Sequence, residues 1–235
     1  HLSIRRQRQM CIRDSLTTEP AVARQNRVDP FGEIVAVPAR GTFMGNRGIL
    51  HDASGRLGTA RWRLKAWLIC LTTFNDRRRQ VMTPNRYTEL FFLDEATALA
   101  AGHRPCFECR RRRFLAYRDA WAAGSAWTGS EPPRVADIDG RLHAERVMPG
   151  TRRKRTWMGG LAGLPDGTVI ADPGDGSALL VLGRHLLPWR FEGYGRALPR
   201  PAGGSVTILT PPSTVAALGA GYAPVLHPTA HEATR

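Results

Sequence analysis

The pattern of apolar and polar positions over residues 88–121 predicts the elements around which the chain is organised. Glu89–Leu93 is an apolar and aromatic run, typical of a buried strand. Asp94 is suited to cap a following helix, because its carboxylate accepts hydrogen bonds from the free N–H groups of the first turn. Ala96–Ala101 favours a helix, and Gly102 supplies the left-handed residue at which such a helix ends. The sequence therefore predicts a strand, a short helix and a turn.

A second helix is predicted from Cys109 to Trp121. Phe114, Tyr117 and Trp121 recur at spacings of three and four, which places them on one face of a helix. The arginines between them cover the remaining surface. The sequence therefore predicts an amphipathic helix with one aromatic face.

Two strands are predicted upstream. Phe31–Phe43 is the first, and Met44–Gly48 is interpreted as the turn that ends it. Trp62–Phe74 is longer, with apolar residues on one face throughout. Asn75–Arg77 has the composition of a hairpin turn.

From Gly159 onward, short apolar runs separated by glycine and proline predict β structure. The predicted strands are Thr168–Ala171, Ser177–Leu182, His185–Arg190 and Ser205–Leu209. A helix is expected over 210–218, where Thr210 is the cap and Pro211 the first helical residue.

Cys106 and Cys109 form a C-x-x-C pair directly after Pro105. Two thiolates at this spacing can bind one tetrahedral ion, and zinc is the metal expected there. Two other interpretations are open. The pair could be a redox dithiol, although such motifs usually follow a strand in a βαβ unit, or the two residues could be unrelated buried cysteines.

The segment Phe91–Arg110, FFLDEATALAAGHRPCFECR, resembles the second half of the metal-binding domain of Ada-type DNA alkyl-phosphotriester repair proteins. The specific part of the resemblance is Ala101–Cys106 together with Cys109. In that family the two cysteines are zinc ligands, so the resemblance implies this role for Cys106 and Cys109. The first half of the family domain carries C-x-x-x-C, one of whose cysteines accepts the methyl group, and this pattern is absent here.

Zinc needs further ligands, and Cys70 and His51 are the candidates for the third and fourth. Cys70 could instead be a small apolar residue in the core of a strand. His51 could instead be a histidine in a surface loop. Asp52 could take the place of His51, although zinc bound by thiolates favours nitrogen or sulfur donors.

These observations predict an α+β fold: a small antiparallel sheet with short helices and a Cys-x-x-Cys zinc knuckle, followed by a β-rich C-terminal part. Residues 1–25 are expected to be a non-native or disordered leader, because residues 1–15 resemble translated sequencing-adapter sequence. The other predicted parts are an Ada-like zinc-binding domain (26–125), a linker with a basic run (126–158), a β-rich domain with one short helix (159–228) and a tail (229–235).

The charge balance points towards a polyanionic partner. The 34 Lys and Arg residues against 20 Asp and Glu give a net charge of +14, and Lys65 and Lys154 are the only lysines. Guanidinium groups pair with phosphates, so nucleic acid, DNA above all, is the predicted partner. The predicted contact residues lie at the start of the second helix and just before it: Arg104, Arg110, Arg111, Arg112 and Arg113. The alternative is a solvated basic face in a protein from an arginine-rich proteome.

Four cysteines in 235 residues do not suggest a disulfide framework, and no long apolar run suggests a membrane span, so a reducing cytoplasm is the expected location. Three functions are consistent with the sequence: a zinc protein that binds nucleic acid, with a mainly structural metal; a metal-dependent hydrolase, nuclease or DNA-modifying enzyme; and a protein-interaction module braced by zinc. For the enzyme, His51 with Asp52 is the only general-base pair that the sequence offers.

Overall fold

A computed structural model of the protein describes residues 23–75 and 80–235. Over these residues the chain forms two sheets and five short helices, which confirms the predicted α+β class. Most of the predicted leader lies outside the described residues, as do Cys11 and most of the predicted turn at 75–77. None of the described helices has the length and apolar character that crossing a membrane requires.

The first sheet has the strand order β2-β1-β5-β3-β4-β6. Its strands are β1 (Gln25–Val28), β2 (Ile34–Ala36), β3 (Phe43–Asn46), β4 (Leu68–Cys70), β5 (Leu90–Phe92) and β6 (Arg104–Pro105). Three of the pairings are antiparallel, while β1 with β5 and β4 with β6 are parallel. The predicted turn at 44–48 therefore contains the centre of strand β3, and the predicted strand Trp62–Phe74 is reduced to three residues.

Helix α1 (Glu95–Ala100) follows β5 directly, as predicted. The Thr97 backbone N–H donates to Asp94 Oδ1 at 2.8 Å, which confirms the cap. Gly102 has φ +91°, the left-handed conformation that a helix end needs, and the Cβ of any other residue would lie 2.6 Å from Arg146 Cδ.

Helix α2 (Arg111–Gly124) begins two residues later than predicted and extends one turn further. Phe114, Tyr117 and Trp121 are buried, which confirms the aromatic stripe. Helix α2 packs on helix α4 (Pro212–Gly219), which lies near the predicted position 210–218. Gly124 makes this contact possible, because a Cβ there would overlap the Ala216 carbonyl.

The segment predicted to be a linker contains helix α3 (Val135–Arg146). The first core is the cluster of buried side chains that the first sheet shares with α1, α2, α3 and α4. Ile138 and Leu142 are fully buried in it, and the Arg146 side chain is also buried. Further along, Lys154 Nζ donates to the Pro30 carbonyl at 2.8 Å. Residues 135–146 are therefore part of the first core.

The second sheet is antiparallel throughout, with the order β11-β10-β9-β8-β13-β7 and with β12 paired to β10. Its strands are β7 (Trp157–Gly160), β8 (Val169–Ala171), β9 (Ala178–Leu182), β10 (His185–Arg190), β11 (Gly193–Tyr194), β12 (Leu198–Pro199) and β13 (Ser205–Ile208). Part of the predicted tail forms helix α5 (Pro228–Glu232). Its Ala230 is buried in the second core, a cluster formed by residues of the second sheet together with Ala96 and Ala100 of α1.

Candidate metal centre

Strand pairing brings Cys70 and Cys106 together. Strands β4 and β6 run parallel, with Leu68 opposite Arg104 and Ile69 opposite Pro105. The ladder continues one step further, since the Cys106 N–H donates to the Ile69 carbonyl at 2.9 Å. Cys70 ends β4 at the same level, so the two side chains meet at the end of the strand pair.

A tight turn then returns Cys109 to the same place. The Arg110 N–H donates to the Cys106 carbonyl at 3.2 Å, which closes the turn just before α2. The sulfur atoms of Cys70, Cys106 and Cys109 all lie within 4.8 Å of one another. Cys70 and Cys106 are buried and Cys109 is half-buried.

Hydrogen bonds within the cluster shift the pKa values of all three thiols. Hydrogen bonds from Cys109 and Cys70, and then from the backbone N–H groups of Cys109 and Glu108, hold the pKa of Cys106 well below its usual value. Hydrogen bonding to Cys106 raises the pKa of Cys70 and also that of Cys109. One thiolate is therefore favoured while its neighbours keep their protons, and a bound cation would favour the ionised form of all three.

The donor set fits a thiophilic divalent ion. A tetrahedral zinc ion with Zn–S bonds near 2.3 Å holds its sulfur ligands about 3.8 Å apart, which is compatible with the observed cluster. Metal binding would displace the remaining thiol protons, and this removes the electrostatic conflict between the three sulfurs. The backbone N–H groups that already face Cys106 would then stabilise the bound thiolate.

The three cysteines also line a cavity of about 290 Å³. Apolar side chains such as Met44 and Phe91 form much of its wall, and the carboxylate-bearing residues Glu89 and Glu108 line it as well. Glu89 Oε2 accepts a hydrogen bond from the Met82 N–H at 2.7 Å. Among the described residues, no fourth Cys, His, Asp or Glu joins the cluster, so the fourth side of a bound ion would face this cavity.

His51 does not join the cysteines. Its ring is buried, with Nδ1 at 2.7 Å from Thr88 Oγ1 and Nε2 at 3.2 Å from the Thr83 carbonyl oxygen, so both ring nitrogens have partners. The alternative ligand Asp52 accepts hydrogen bonds from Ser54 and pairs with Arg56 at the surface. The structure therefore supports neither residue as the fourth ligand, nor the two together as a general-base pair beside the metal.

Three of the five arginines predicted to contact nucleic acid have partners inside the protein. Arg104 is 2% exposed and donates to both carboxylate oxygens of Asp139, at 2.8 and 2.7 Å. Arg110 is buried and pairs with Glu95 at 2.9 Å, and the partly exposed Arg113 reaches the same carboxylate at 3.1 Å. Arg104 and Arg110 are thus corrected from surface contacts to structural ion pairs.

Arg111 and Arg112 differ from the other three because their side chains are exposed. Both lie in the first turn of α2, two and three residues after Cys109. The Arg111 guanidinium lies over the Phe107 ring, 4.5 Å from its centroid. The surface beside the candidate metal centre therefore presents two outward-facing guanidinium groups.

The two acidic residues at the cavity were not among the predicted site residues. Glu108 lies inside the C-x-x-C pair, and this position alone was a signal that it would lie near the cysteine cluster. Glu89 gave no such signal, because it was interpreted as the first residue of a buried strand.

Comparison with protein-family models, with curated proteins and with solved structures finds no match to this chain.

Proposed function

We propose that this is a zinc-binding protein in which Cys70, Cys106 and Cys109 hold a mainly structural ion. The observation that carries the proposal is the convergence of three sulfurs from a strand end and a turn that lie 36 residues apart in sequence. In this proposal, residues 91–110 form a zinc hook like that of the Ada-type domains, with Cys70 as an additional ligand. The hook supplies zinc binding, and methyl transfer is not part of the proposal.

The position of the cluster supports a structural role. Strand β6 has only two residues and pairs only with β4, at one end of the first sheet. A zinc ion would join the end of β4 to the turn that leads into α2, so its binding free energy would stabilise the link between sheet and helix.

Replacing Cys106 or Cys109 with serine tests the zinc proposal. Each variant is expected to lose the bound metal and to melt at a lower temperature, because one thiolate ligand is gone. Metal content is measured by elemental analysis of freshly purified protein, and melting by circular dichroism. Cys11→Ser, the same change at a cysteine outside the described residues, is the control and should keep one zinc per chain. One equivalent of zinc retained in Cys106→Ser would contradict the proposal.

The cavity favours a second candidate function, catalysis at the open side of the metal. Catalytic zinc sites keep three protein ligands and leave one position for water or substrate, whereas structural sites usually have four. Cobalt substitution distinguishes the two functions, since an open site changes its visible spectrum when azide is added. A spectrum that azide leaves unchanged would support a closed, structural site. The acid–base residue in the catalytic case would be Glu89 or Glu108, because His51 and Asp52 lie elsewhere.

Nucleic acid, DNA in the first instance, is the partner that we propose from the net charge of +14 and from the exposed pair Arg111 and Arg112. A fluorescently labelled DNA duplex titrated at several salt concentrations tests it by anisotropy. The double variant Arg111→Ala/Arg112→Ala should reduce the slope of log affinity against log salt by about 2, because two phosphate contacts are lost. An unchanged slope would exclude Arg111 and Arg112 as DNA contacts.

The proposed location is a reducing compartment such as the cytoplasm, which keeps the thiols available to metal.

A further inference from the structure

Two arginines are buried over one tryptophan on the other side of β4. The guanidinium carbons of Arg47 and Arg146 lie 4.1 and 4.0 Å from the centroid of the Trp67 ring. Arg47 is 1% exposed and Arg146 is fully buried. Within the described part of the chain, neither forms an ion pair with a carboxylate, so two positive charges are held inside the protein without a direct counter-charge.

The hydrogen bonds of Arg47 are made to neutral groups. Its Nε donates to His103 Nε2 at 2.9 Å, and its Nη1 donates to the Gly32 carbonyl at 2.9 Å. His103 has a pKa well below its usual value, first because it is buried and then because of the Arg47 charge. Its ring is therefore neutral, and Nε2 accepts the hydrogen bond from Arg47. Arg47 Nη2 is buried and has no hydrogen-bond partner in residues 23–75 and 80–235.

This unpartnered nitrogen lies beside a recess whose walls are strongly cationic. The lining includes Arg47, Arg61, Arg146, Arg152, Arg153 and Lys154, with Glu33 as the one acidic residue in it. Gly32 has φ +84°, and a Cβ there would lie 3.7 Å from Arg47 Nη2 and 3.5 Å from Lys154 Cδ. Gly32 thus brings the backbone close to both cationic side chains. Asp29 lies near enough to influence the charges of Arg47 and Lys154, but it forms no ion pair with either.

The size of the recess limits what enters it. Its volume is about 10 Å³, close to that of one water-sized group. Arg152 and Arg153 are exposed, Arg61 is half-buried, and the half-buried ring of Trp62 also contributes to the lining. The arrangement therefore suits an anion that places one oxygen inside and leaves the rest of the group among the arginines at the rim.

We propose that this recess binds a phosphate group, with one oxygen accepting a hydrogen bond from Arg47 Nη2 and the others contacting Arg152, Arg153 and Arg61. Guanidinium groups match phosphate oxygens in charge and geometry, and the bound anion neutralises the buried charge of Arg47 and Arg146. Burial lowers the pKa of Lys154 to about 7, and a bound phosphate would favour its charged form. The phosphate belongs either to a free phosphate ion or to a nucleic-acid backbone.

The phosphate site is separate from the metal centre and goes beyond the proposed zinc function. Among the residues that the structure describes, no cysteine lines the recess, and neither Arg111 nor Arg112 does. Loss of zinc and loss of phosphate binding are therefore distinguishable with variants that alter only one of the two regions.

The test uses two probes on the full chain, inorganic phosphate by isothermal titration calorimetry and a single-stranded 12-mer DNA by fluorescence anisotropy. The variant Arg152→Ala/Arg153→Ala removes two exposed side chains at the rim and should leave the fold unchanged. Whichever probe the parent protein binds, we expect this variant to bind it at least about tenfold more weakly, because charge-assisted hydrogen bonds are lost. Binding of both probes identifies a site open to free phosphate, and binding of DNA alone identifies the nucleic-acid backbone as the source.

Arg184→Ala/Arg190→Ala is the matched control, since it removes the same charge from two exposed arginines at the ends of β10 in the second sheet. It should bind the probes as the parent does. Equal weakening by the control would show that only net charge matters and would overturn the proposal, as would no binding of either probe at millimolar concentration. Arg47→Lys keeps the positive charge but replaces the planar guanidinium group with an ammonium group, so it should also bind the probes more weakly. Circular dichroism checks that this variant is folded. Binding unchanged in folded Arg47→Lys and in Arg152→Ala/Arg153→Ala would likewise overturn the proposal.

Discussion

Gly45 in the middle of β3 determines how closely β3 and β4 approach each other. A Cβ at this position would overlap the Leu68 carbonyl oxygen and would lie 2.8 Å from Phe92 Cε2. Gly45 pairs with Ile69 on one side and with Leu90 on the other. Any larger residue would have to push β4 away, and Cys70 lies at the end of that strand.

Gly45→Ala is therefore expected to destabilise the protein by about 3 kcal/mol and to reduce its metal content, because the added methyl group has no space between the strands. Urea unfolding and elemental analysis measure the two effects. Gly160→Ala in β7 is the control, because nothing lies within 4 Å of a Cβ there. A variant as stable and as metal-loaded as the parent would show that the sheet adjusts without moving Cys70.

Glu95 is the buried carboxylate that two arginines share. It pairs with Arg110 and Arg113, and it also accepts a hydrogen bond from the Tyr222 hydroxyl. Burial by itself would raise the pKa of Glu95, but the hydrogen bond and charge of Arg110 outweigh it and hold the pKa below the usual 4.5.

Glu95→Gln should cost about 3–5 kcal/mol of unfolding free energy, because it leaves Arg110 buried without its partner. The ionised carboxylate contributes its full stability above pH 4.5 and loses it as the pH falls through the lower pKa of the folded state. The difference between parent and variant in urea midpoint should therefore shrink below pH 4.5. Glu131→Gln, at an exposed position, is the control, and a difference independent of pH would contradict the assignment.

At the scale of elements, one ion pair joins α3 to the strand that leads into the candidate metal centre. Arg104 on β6 and Asp139 on α3 form a two-bond contact with both side chains almost fully buried. This contact fixes the strand that carries Cys106 at its end. The pair is thus part of the support of the candidate site, although neither residue touches the cysteines.

Asp139→Asn should lower the unfolding free energy by about 3 kcal/mol, because Arg104 would then be a buried charge without its carboxylate. Chemical denaturation at neutral pH measures this. Asp52→Asn is the matched control, since the Asp52–Arg56 pair is exposed and its removal should leave the urea midpoint unchanged. An equal loss of unfolding free energy in Asp139→Asn and Asp52→Asn would mean that burial does not increase the contribution of the ion pair to stability.

Elements were predictable where local chemistry determines them. Asp94 and Gly102 mark the two ends of α1, and the aromatic spacing identifies the buried face of α2. The parallel pairing of β4 with β6 was not predictable, because it joins segments 36 residues apart and β6 has only two residues. The prediction of His51 as a metal ligand failed to anticipate distant partners in the same way. Its hydrogen bonds to Thr88 and Thr83, more than 30 residues away, occupy both ring nitrogens.

At the scale of the whole molecule, α1 contributes to both cores. Ala98 and Leu99 belong to the first core, and Ala96 and Ala100 belong to the second. Polar contacts follow the same division. Asp94 accepts a hydrogen bond from the Tyr194 hydroxyl of the second sheet, while Glu95 pairs with Arg113 of α2. The predicted separation into a zinc-binding domain and a β-rich domain did not anticipate a helix shared by both.

The two sheets should therefore unfold together. With zinc present, thermal unfolding followed by far-ultraviolet and near-ultraviolet circular dichroism should give one coincident transition, and the calorimetric and van't Hoff enthalpies should agree. Tyr194→Phe removes the contact with Asp94 and should lower the midpoint for both signals equally. Two separate transitions would show that the zinc-binding part and the β-rich part are independently stable domains.

An odd number of sulfurs at the candidate centre has a consequence for the protein without a bound metal. Oxidation can join two of the three thiols as a disulfide, and the third has no partner left within the group. We expect one reactive sulfhydryl to survive at this place in air-exposed, chelator-treated protein, open to glutathione or to a second chain. A centre built from four cysteines could close on itself in pairs, and this one cannot.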